Sequence, residues 1–185
     1  MKKLLLSVAL LLCLNGVHAQ VEFGAKGGVN LSTVTGDVDD VDMGIGVAVG
    51  AFAKIEISDV IFIQPGLEVS LKGYSSTTAG GLKLTYLDVP VLLKFQGDGG
   101  LFGEVGPNLG LLFSATTDFL GEDYDVKDSF KGTDFGMNFG AGYEMDSGFG
   151  FGARYNLGLA NISAEESFTA KNSVIQVYAF WLFGN

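Results

Sequence analysis

Hydrophobic and polar residues alternate along most of the chain with a period of two. In the segment 135–145 every odd position is Phe, Met, Ala or Tyr, and every even position is Gly, Asn or Glu. Successive side chains of a β-strand point to opposite faces, so this pattern predicts strands with one apolar face. The alternation predicts eight strands, at 22–32, 43–57, 60–73, 83–96, 101–114, 134–146, 149–161 and 174–184.

The lengths of these strands and of their connections indicate a membrane barrel. A tilted membrane strand needs about 9–11 residues, whereas strands of soluble proteins average about 5–6. Short turns are predicted at 58–59, 97–100 and 147–148, and they alternate with long loops at 33–42, 74–82, 115–133 and 162–173. The pattern predicts an all-β fold: an eight-stranded antiparallel up-and-down transmembrane barrel with short periplasmic turns and long external loops. The even strand number places both termini on the periplasmic side.

The two faces of the predicted strands differ in size and charge. One face carries large apolar residues such as Ile61, Ile63 and Leu67, and we expect it to be free of charge. The other face is rich in glycine and holds the strand charges. The interior of an eight-stranded barrel is only just wide enough to be filled by side chains, so the second face is predicted to line the lumen. The predicted lumenal charges are Glu22, Lys26, Lys54, Glu56, Glu68, Lys72, Asp88, Lys94, Glu104, Asp134, Glu144 and Arg154.

These charges and the outward aromatic residues each suggest a role. Seven acids facing five bases favour a salt-bridged polar core that fills the lumen, and the alternative is an ion path. Aromatic residues on the outward face gather toward the short-turn rim, as expected of an interfacial girdle. The predicted girdle consists of Phe23, Phe95, Tyr143, Phe149, Trp181 and Phe183.

The first nineteen residues have the features of a cleavable secretory signal. A basic start at Lys2 and Lys3 precedes an apolar run at 4–14, which is too short to span a bilayer as a helix. Small residues at Val17 and Ala19 then provide a cleavage site. We therefore predict a signal peptide at 1–19 and a barrel domain at 20–185. Lipidation at Cys13 is the less favoured alternative, since the preceding leucine is not small.

Composition and charge exclude several classes of function. The chain has 185 residues, a net charge of −10 and 48% hydrophobic residues, with a mean hydropathy of +0.35. This apolar content excludes a disordered chain, and the acidic balance argues against nucleic-acid binding. The only cysteine, Cys13, and the only histidine, His18, lie in the predicted signal, so the mature chain lacks a thiol nucleophile and an imidazole base.

The predicted long loops are rich in acidic residues. The first holds Asp37, Asp39, Asp40 and Asp42, and the third holds Asp118, Glu122, Asp123, Asp125 and Asp128. Bridging by calcium or magnesium is conceivable because hard cations take oxygen ligands. A solvated acidic loop is the commoner explanation, so we expect no metal and no cofactor.

Four segments together carry a family resemblance: Tyr86–Phe95, Glu104–Gly110, Asp134–Glu144 and Arg154–Leu159. They resemble a known family of outer-membrane barrels, the one that includes the PorT-like proteins of Bacteroidota. This resemblance implies a Gram-negative cell-envelope barrel, usually without an assigned activity. One departure is the C-terminus, which ends in Gly184-Asn185 rather than in an aromatic residue.

These observations lead to one expected function and two alternatives. We expect a non-enzymatic, monomeric, integral outer-membrane protein with a structural or surface-interaction role. Its expected partners are outer-membrane lipid and lipopolysaccharide, together with an unidentified partner of the external loops. The alternatives are a porin-like small-solute channel or secretion-associated barrel and, less favoured, an envelope-lipid enzyme that uses carboxylates such as Asp88, Glu104 and Glu144.

Overall fold

The computed structural model describes residues 20–37, 42–75, 81–119, 122–165 and 167–183, without the side chains of Ser75, Phe119 and Asp123. The predicted signal peptide at 1–19 lies outside these residues. The described part contains eight long strands, one short strand (β6) and one 3-10 turn at Lys127–Ser129. The strands are Val21–Gly36 (β1), Asp42–Ser58 (β2), Ile61–Ser75 (β3), Leu82–Gln96 (β4), Leu101–Phe119 (β5), Glu122–Asp125 (β6), Thr133–Glu144 (β7), Phe149–Gly158 (β8) and Ala170–Phe183 (β9).

The eight long strands form a closed antiparallel barrel. Each pairs with the next along the chain, and β1 also pairs with β9, with Phe23 opposite Phe183 and Gly36 opposite Ala170. Closure leaves no unpaired edge around the barrel. The predicted fold class is therefore confirmed.

The strands extend farther toward the long loops than the sequence predicted. β1 continues to Gly36, β5 continues to Phe119 and β9 begins at Ala170, whereas β8 ends earlier than predicted, at Gly158. The short strand β6 pairs only with the upper part of β5 and was not predicted. Above the apolar band the polarity reverses: the inward residues Val34, Ala115 and Ala170 are apolar and their outward neighbours are polar, so the pattern that marks a membrane strand ends there.

A β-bulge in β5 explains how the alternation is kept over so long a strand. Thr85 of β4 is opposite Ser114, whereas the next residue, Tyr86, is opposite Leu112. Phe113 and Ser114 therefore both face outward, and Ala115 is buried inside the barrel. The extra residue shifts the alternation by one position, so that Ala115 faces the lumen instead of the outside.

Two short turns depend on glycine. Gly100 and Gly148 have φ values of +79° and +81° in the connections before β5 and β8. This left-handed region is open to glycine at no steric cost, so the chain reverses within four residues at each place. No helix among the described residues is long and apolar enough to cross a membrane.

The outward face forms a broad apolar band, with one correction to the prediction. Ile45, Val49 and Leu67 are examples of its exposed side chains. Lys83 also faces outward at the loop end of β4, where its Nζ lies 3.9 Å from Asp118 Oδ2. The face is therefore not entirely free of charge, but this lysine lies at the border of the band rather than within it.

Candidate functional site

The strand register brings most of the predicted lumenal charges into the barrel interior. Ten of the twelve are buried. Glu22 and Glu56 are half-buried at the short-turn mouth, and Glu56 makes no ion pair among the described residues. The buried charges are Lys26, Lys54, Glu68, Lys72, Asp88, Lys94, Glu104, Asp134, Glu144 and Arg154.

Near the short-turn mouth, one carboxylate joins three strands. Glu144, at the end of β7, accepts hydrogen bonds from Lys54 Nζ of β2 at 2.5 Å and Lys94 Nζ of β4 at 2.6 Å. Gln96 Nε2 donates to the same carboxylate at 3.1 Å. Lys94 Nζ also lies 4.0 Å from the centre of the Phe102 ring. We call this cluster the lower layer.

A second cluster, the middle layer, lies at half the height of the barrel. Arg154 Nε donates to Glu104 Oε1 at 2.7 Å, and Tyr178 OH donates to the same oxygen at 2.9 Å. On the opposite wall, Lys26 Nζ lies 2.5 Å from Glu68 Oε2. Gln176 connects strands here, because its Nε2 donates to Glu68 Oε1 at 2.5 Å.

A third cluster, the upper layer, lies toward the long loops. Lys72 Nζ is 2.9 Å from Asp88 Oδ2 and 3.9 Å from Asp134 Oδ2. Asn108 donates to Asp88 at 3.0 Å, and Asn172 donates to Asp134 at 2.8 Å. Each layer therefore pairs lysine or arginine with a carboxylate, as buried charges require.

The lumen also holds large apolar side chains that the sequence analysis did not place there. Next to the lower layer, the Phe180 ring meets Phe52 and Phe102 edge to face, with ring centres 5.7 and 6.0 Å apart. Tyr178 and Leu182 complete this cluster. The glycines of the same face, including Gly24, Gly142 and Gly150, provide the space, because a Cβ at any of them would overlap an aromatic ring of this cluster.

The long-loop mouth is closed by a second apolar cluster. Ile162, from the connection between β8 and β9, is fully buried at its centre. Its backbone is held by hydrogen bonds with Ala170 and Lys131, each 2.8 Å long. We call this cluster the apolar cap. Its buried members are Val34, Leu82, Leu84, Tyr86, Leu112, Ala115, Ile162 and Ala170.

Between the lower layer and the apolar cap the barrel has little free space, whereas a cavity of about 290 Å³ opens at the short-turn mouth beside Lys54 and Glu144. Two cavities lined by lumenal side chains have volumes of about 20 and 10 Å³. A cavity of about 10–15 Å³ holds one water molecule.

The sequence analysis missed the uncharged polar residues of this interior. Asn30, Asn138, Asn156 and Gln176 share the face of the charged residues, so the alternation alone could have identified them.

The six predicted girdle aromatics lie on the outward side near the short turns. Phe23, Phe95, Trp181 and Phe183 are exposed, and Tyr143 and Phe149 are half-buried. Phe149 and Trp181 are neighbours on adjacent strands, with ring centres 6.2 Å apart. Their common height suits an interfacial belt, which remains a prediction.

The acidic loops bring together no metal-binding cluster in the described part of the chain, where three or more His, Cys, Asp or Glu side chains do not converge on one point. Asp39 and Asp40 lie outside the described residues. Asp37 Oδ2 instead accepts a hydrogen bond from the backbone of Thr169 at 2.8 Å, which ties the first external connection to the last.

Comparison with known proteins places the chain in a family. The profile described as "Outer membrane protein beta-barrel domain" matches residues 17–164. The chain belongs to this outer-membrane β-barrel family. It is therefore an outer-membrane barrel protein, and its apolar band is the surface that faces the lipid. None of the curated protein sequences is significantly similar to it.

Two solved structures illustrate the shared architecture of this outer-membrane barrel. Neisserial surface protein A is 15% identical, with a TM-score of 0.60, over 88% of this chain and 98% of that chain. Ail, the attachment invasion locus protein of Yersinia pestis, is 16% identical, with a TM-score of 0.54, over 89% of this chain and 99% of that chain. At such identities the similarity shows the fold alone.

Proposed function

We propose that this outer-membrane barrel is a non-enzymatic, monomeric surface protein whose filled lumen is a structural core. Its external connections would make its specific contacts, and both termini would lie in the periplasm. We also assign it to the PorT-like branch of the family, on the segments that resemble that branch. The observation that carries the proposal is the filled interior, where three ion-paired layers and an aromatic cluster lie beneath the apolar cap.

The filled interior argues against the channel alternative. Arg154, Glu104 and Lys94 are buried in the lumen on three different strands and are held by short hydrogen bonds. Moving any one of them aside would leave an unpaired buried charge, which costs several kcal/mol, about 3–5 in measured cases. A solute path would also require the apolar cap to open.

The ion pairs argue against the enzyme alternative as well. A carboxylate that acts as an acid or base must reach a substrate proton. Glu104 is engaged by Arg154 and Tyr178 deep in the lumen. Glu144 borders a cavity of about 290 Å³ at the short-turn mouth, but its carboxylate is engaged by Lys54, Lys94 and Gln96. These hydrogen bonds and ion pairs support a structural role for both carboxylates.

Planar-bilayer recording tests the proposal. The purified barrel, shown to be folded by its different migration in heated and unheated gels, should produce no conductance steps. An open porin recorded in the same membranes is the control for sensitivity. Reproducible steps from the folded barrel would contradict the proposal and favour the small-solute channel.

A further inference from the structure

A cavity enters the barrel wall near the long loops, where β2 and β3 separate. Its volume is about 360 Å³, and it is bordered by outward residues such as Ile45, Val47 and Lys83 and, on its inner side, by the lumenal residues Ser32, Lys72 and Leu82. We call it the wall cavity. For comparison, an apolar cavity of about 150 Å³ is enough to bind a benzene molecule.

The backbone creates the wall cavity, so it is a built feature of the fold. Between the pairs Met43–Tyr74 and Ala48–Ser70, four residues of β2 face three residues of β3, which forms a bulge. Two side chains of β1 satisfy carbonyl groups of β3 at this place. Asn30 Nδ2 donates to the carbonyl of Leu71 at 2.9 Å, and Ser32 Oγ donates to that of Gly73 at 2.8 Å.

The outward part of the wall cavity is apolar on the side of the membrane band and cationic at its upper border. Ile45 is 80% exposed and Val47 is 54% exposed on the outward face. Lys83 is the outward residue of β4 opposite Gly73. Its pairing with Asp118 at 3.9 Å joins two half-exposed side chains. Such exposed pairs are weak, and the side chain of Lys83 is 56% exposed, so its charge is accessible to a lipid phosphate.

Position and charge together decide what occupies the wall cavity. The outward face of a membrane barrel meets hydrocarbon, and its borders meet lipid headgroups. We propose that the wall cavity binds one acyl chain of an outer-leaflet lipopolysaccharide, with a phosphate of its lipid A beside Lys83. This proposal depends on the proposed orientation, in which the long loops face outside. Lipid binding at the wall cavity does not depend on whether the barrel conducts ions.

Lipid retention tests this proposal in the full-length barrel. The protein and its variants are reconstituted in phosphatidylcholine vesicles containing lipid A, extracted into mild detergent and examined by native mass spectrometry. Val47→Trp fills the wall cavity. Val177→Trp is the matched control, because Val177 is also outward and is 57% exposed, on the distant strand β9. Lys83→Gln removes the cation, and Lys127→Gln is its control in the external connection.

The wild type, Val177→Trp and Lys127→Gln should each retain a single lipid A molecule. Val47→Trp should lower this retention at least about tenfold, which corresponds to the exclusion of roughly two methylene groups. Lys83→Gln should abolish the preference for lipid A over phosphatidylcholine. Heated and unheated gels confirm that each variant is folded.

Three results would overturn the proposal: equal retention by Val47→Trp and Val177→Trp, no preference of the wild type for lipid A, or a second barrel copy in place of lipid. Bilayer recordings separate this proposal from the proposed function. A folded barrel that conducts no ions and retains no lipid A would refute the lipid site alone.

Discussion

At the scale of single residues, the chain stabilises charges inside a membrane protein by pairing each with a nearby partner. Glu104 accepts hydrogen bonds from Arg154 Nε and Tyr178 OH, both shorter than 3 Å. Alternation predicted that these residues share the lumenal face, because parity depends only on sequence position. It could not predict which acid pairs with which base, since Glu104 and Arg154 are fifty residues apart.

Removing the carboxylate charge at Glu104 should destabilise the barrel strongly. Glu104→Gln leaves Arg154 buried without its counter-charge, and we expect a loss of about 3 kcal/mol in the free energy of unfolding. Urea titration in detergent micelles, followed by tryptophan fluorescence, provides the measurement. Glu22→Gln is the control, because Glu22 lies 3.5 Å from Lys54 with a side chain that is 27% exposed. Its effect should stay below about 1 kcal/mol, and equal losses would contradict the layered-core interpretation.

At the scale of the strand, neighbouring residues meet entirely different surroundings. Gly27 and Gly28 are adjacent in β1, yet a Cβ on Gly27 would meet only a carbonyl 4.0 Å away. A Cβ on Gly28 would lie 2.6 Å from the Val177 carbonyl and 2.8 Å from Tyr178 Cβ. The sequence predicted that glycines provide space inside the barrel, but the residues that use this space were visible only in the structure.

This difference predicts opposite tolerance at the two glycines. Gly28→Ala should lower the free energy of unfolding by about 1–3 kcal/mol, because the added methyl overpacks the lumen. Gly27→Ala should change it by less than about 0.5 kcal/mol, since its methyl faces outward. Both values come from the same urea titration. A larger loss at Gly27 than at Gly28 would mean that β1 is paired in the opposite register.

At the scale of the whole molecule, two kinds of closure shape the barrel. Pairing of β1 with β9 closes the sheet, and the external connections close the long-loop mouth. The connection between β8 and β9 returns to the barrel through Ile162, and a β-bridge between Phe130 and Ser163 joins it to the preceding connection. Asp37 joins the first connection to the same region through Thr169. Among the described residues, the first, third and last external connections therefore form one connected platform over the apolar cap.

Shortening the central side chain of the cap should loosen this platform without unfolding the barrel. Ile162→Ala removes buried contacts of a kind that cost about 2–5 kcal/mol. Hydrogen exchange of residues 160–170 should become at least about tenfold faster, while exchange in the middle of β1 stays unchanged. Leu159→Ala is the control, since Leu159 is 44% exposed. Equal acceleration in both variants would contradict a central role for Ile162.

Part of this architecture follows directly from the sequence. The alternation determined the eight strands, the outward apolar band and the inward charges, because the side-chain period of a strand is a local property of the backbone. Alternation did not predict the upper ends of β1, β5 and β9 or the short strand β6, because the outward face becomes polar there and the inward face apolar. Lys83 shares the parity of the outward residues, so its outward position follows from alternation and contradicts only the expectation of an uncharged face.

The tertiary structure decided the rest, because it depends on residues far apart in the chain. Closure between β1 and β9 determines which lumenal side chains meet, and hence the pairs Lys26–Glu68 and Arg154–Glu104. The apolar cap needs Ile162 to return over the barrel mouth, and the wall cavity needs the bulge between β2 and β3. Alternation within one strand determines which way a side chain points. Only the packing of all eight strands determines what it touches.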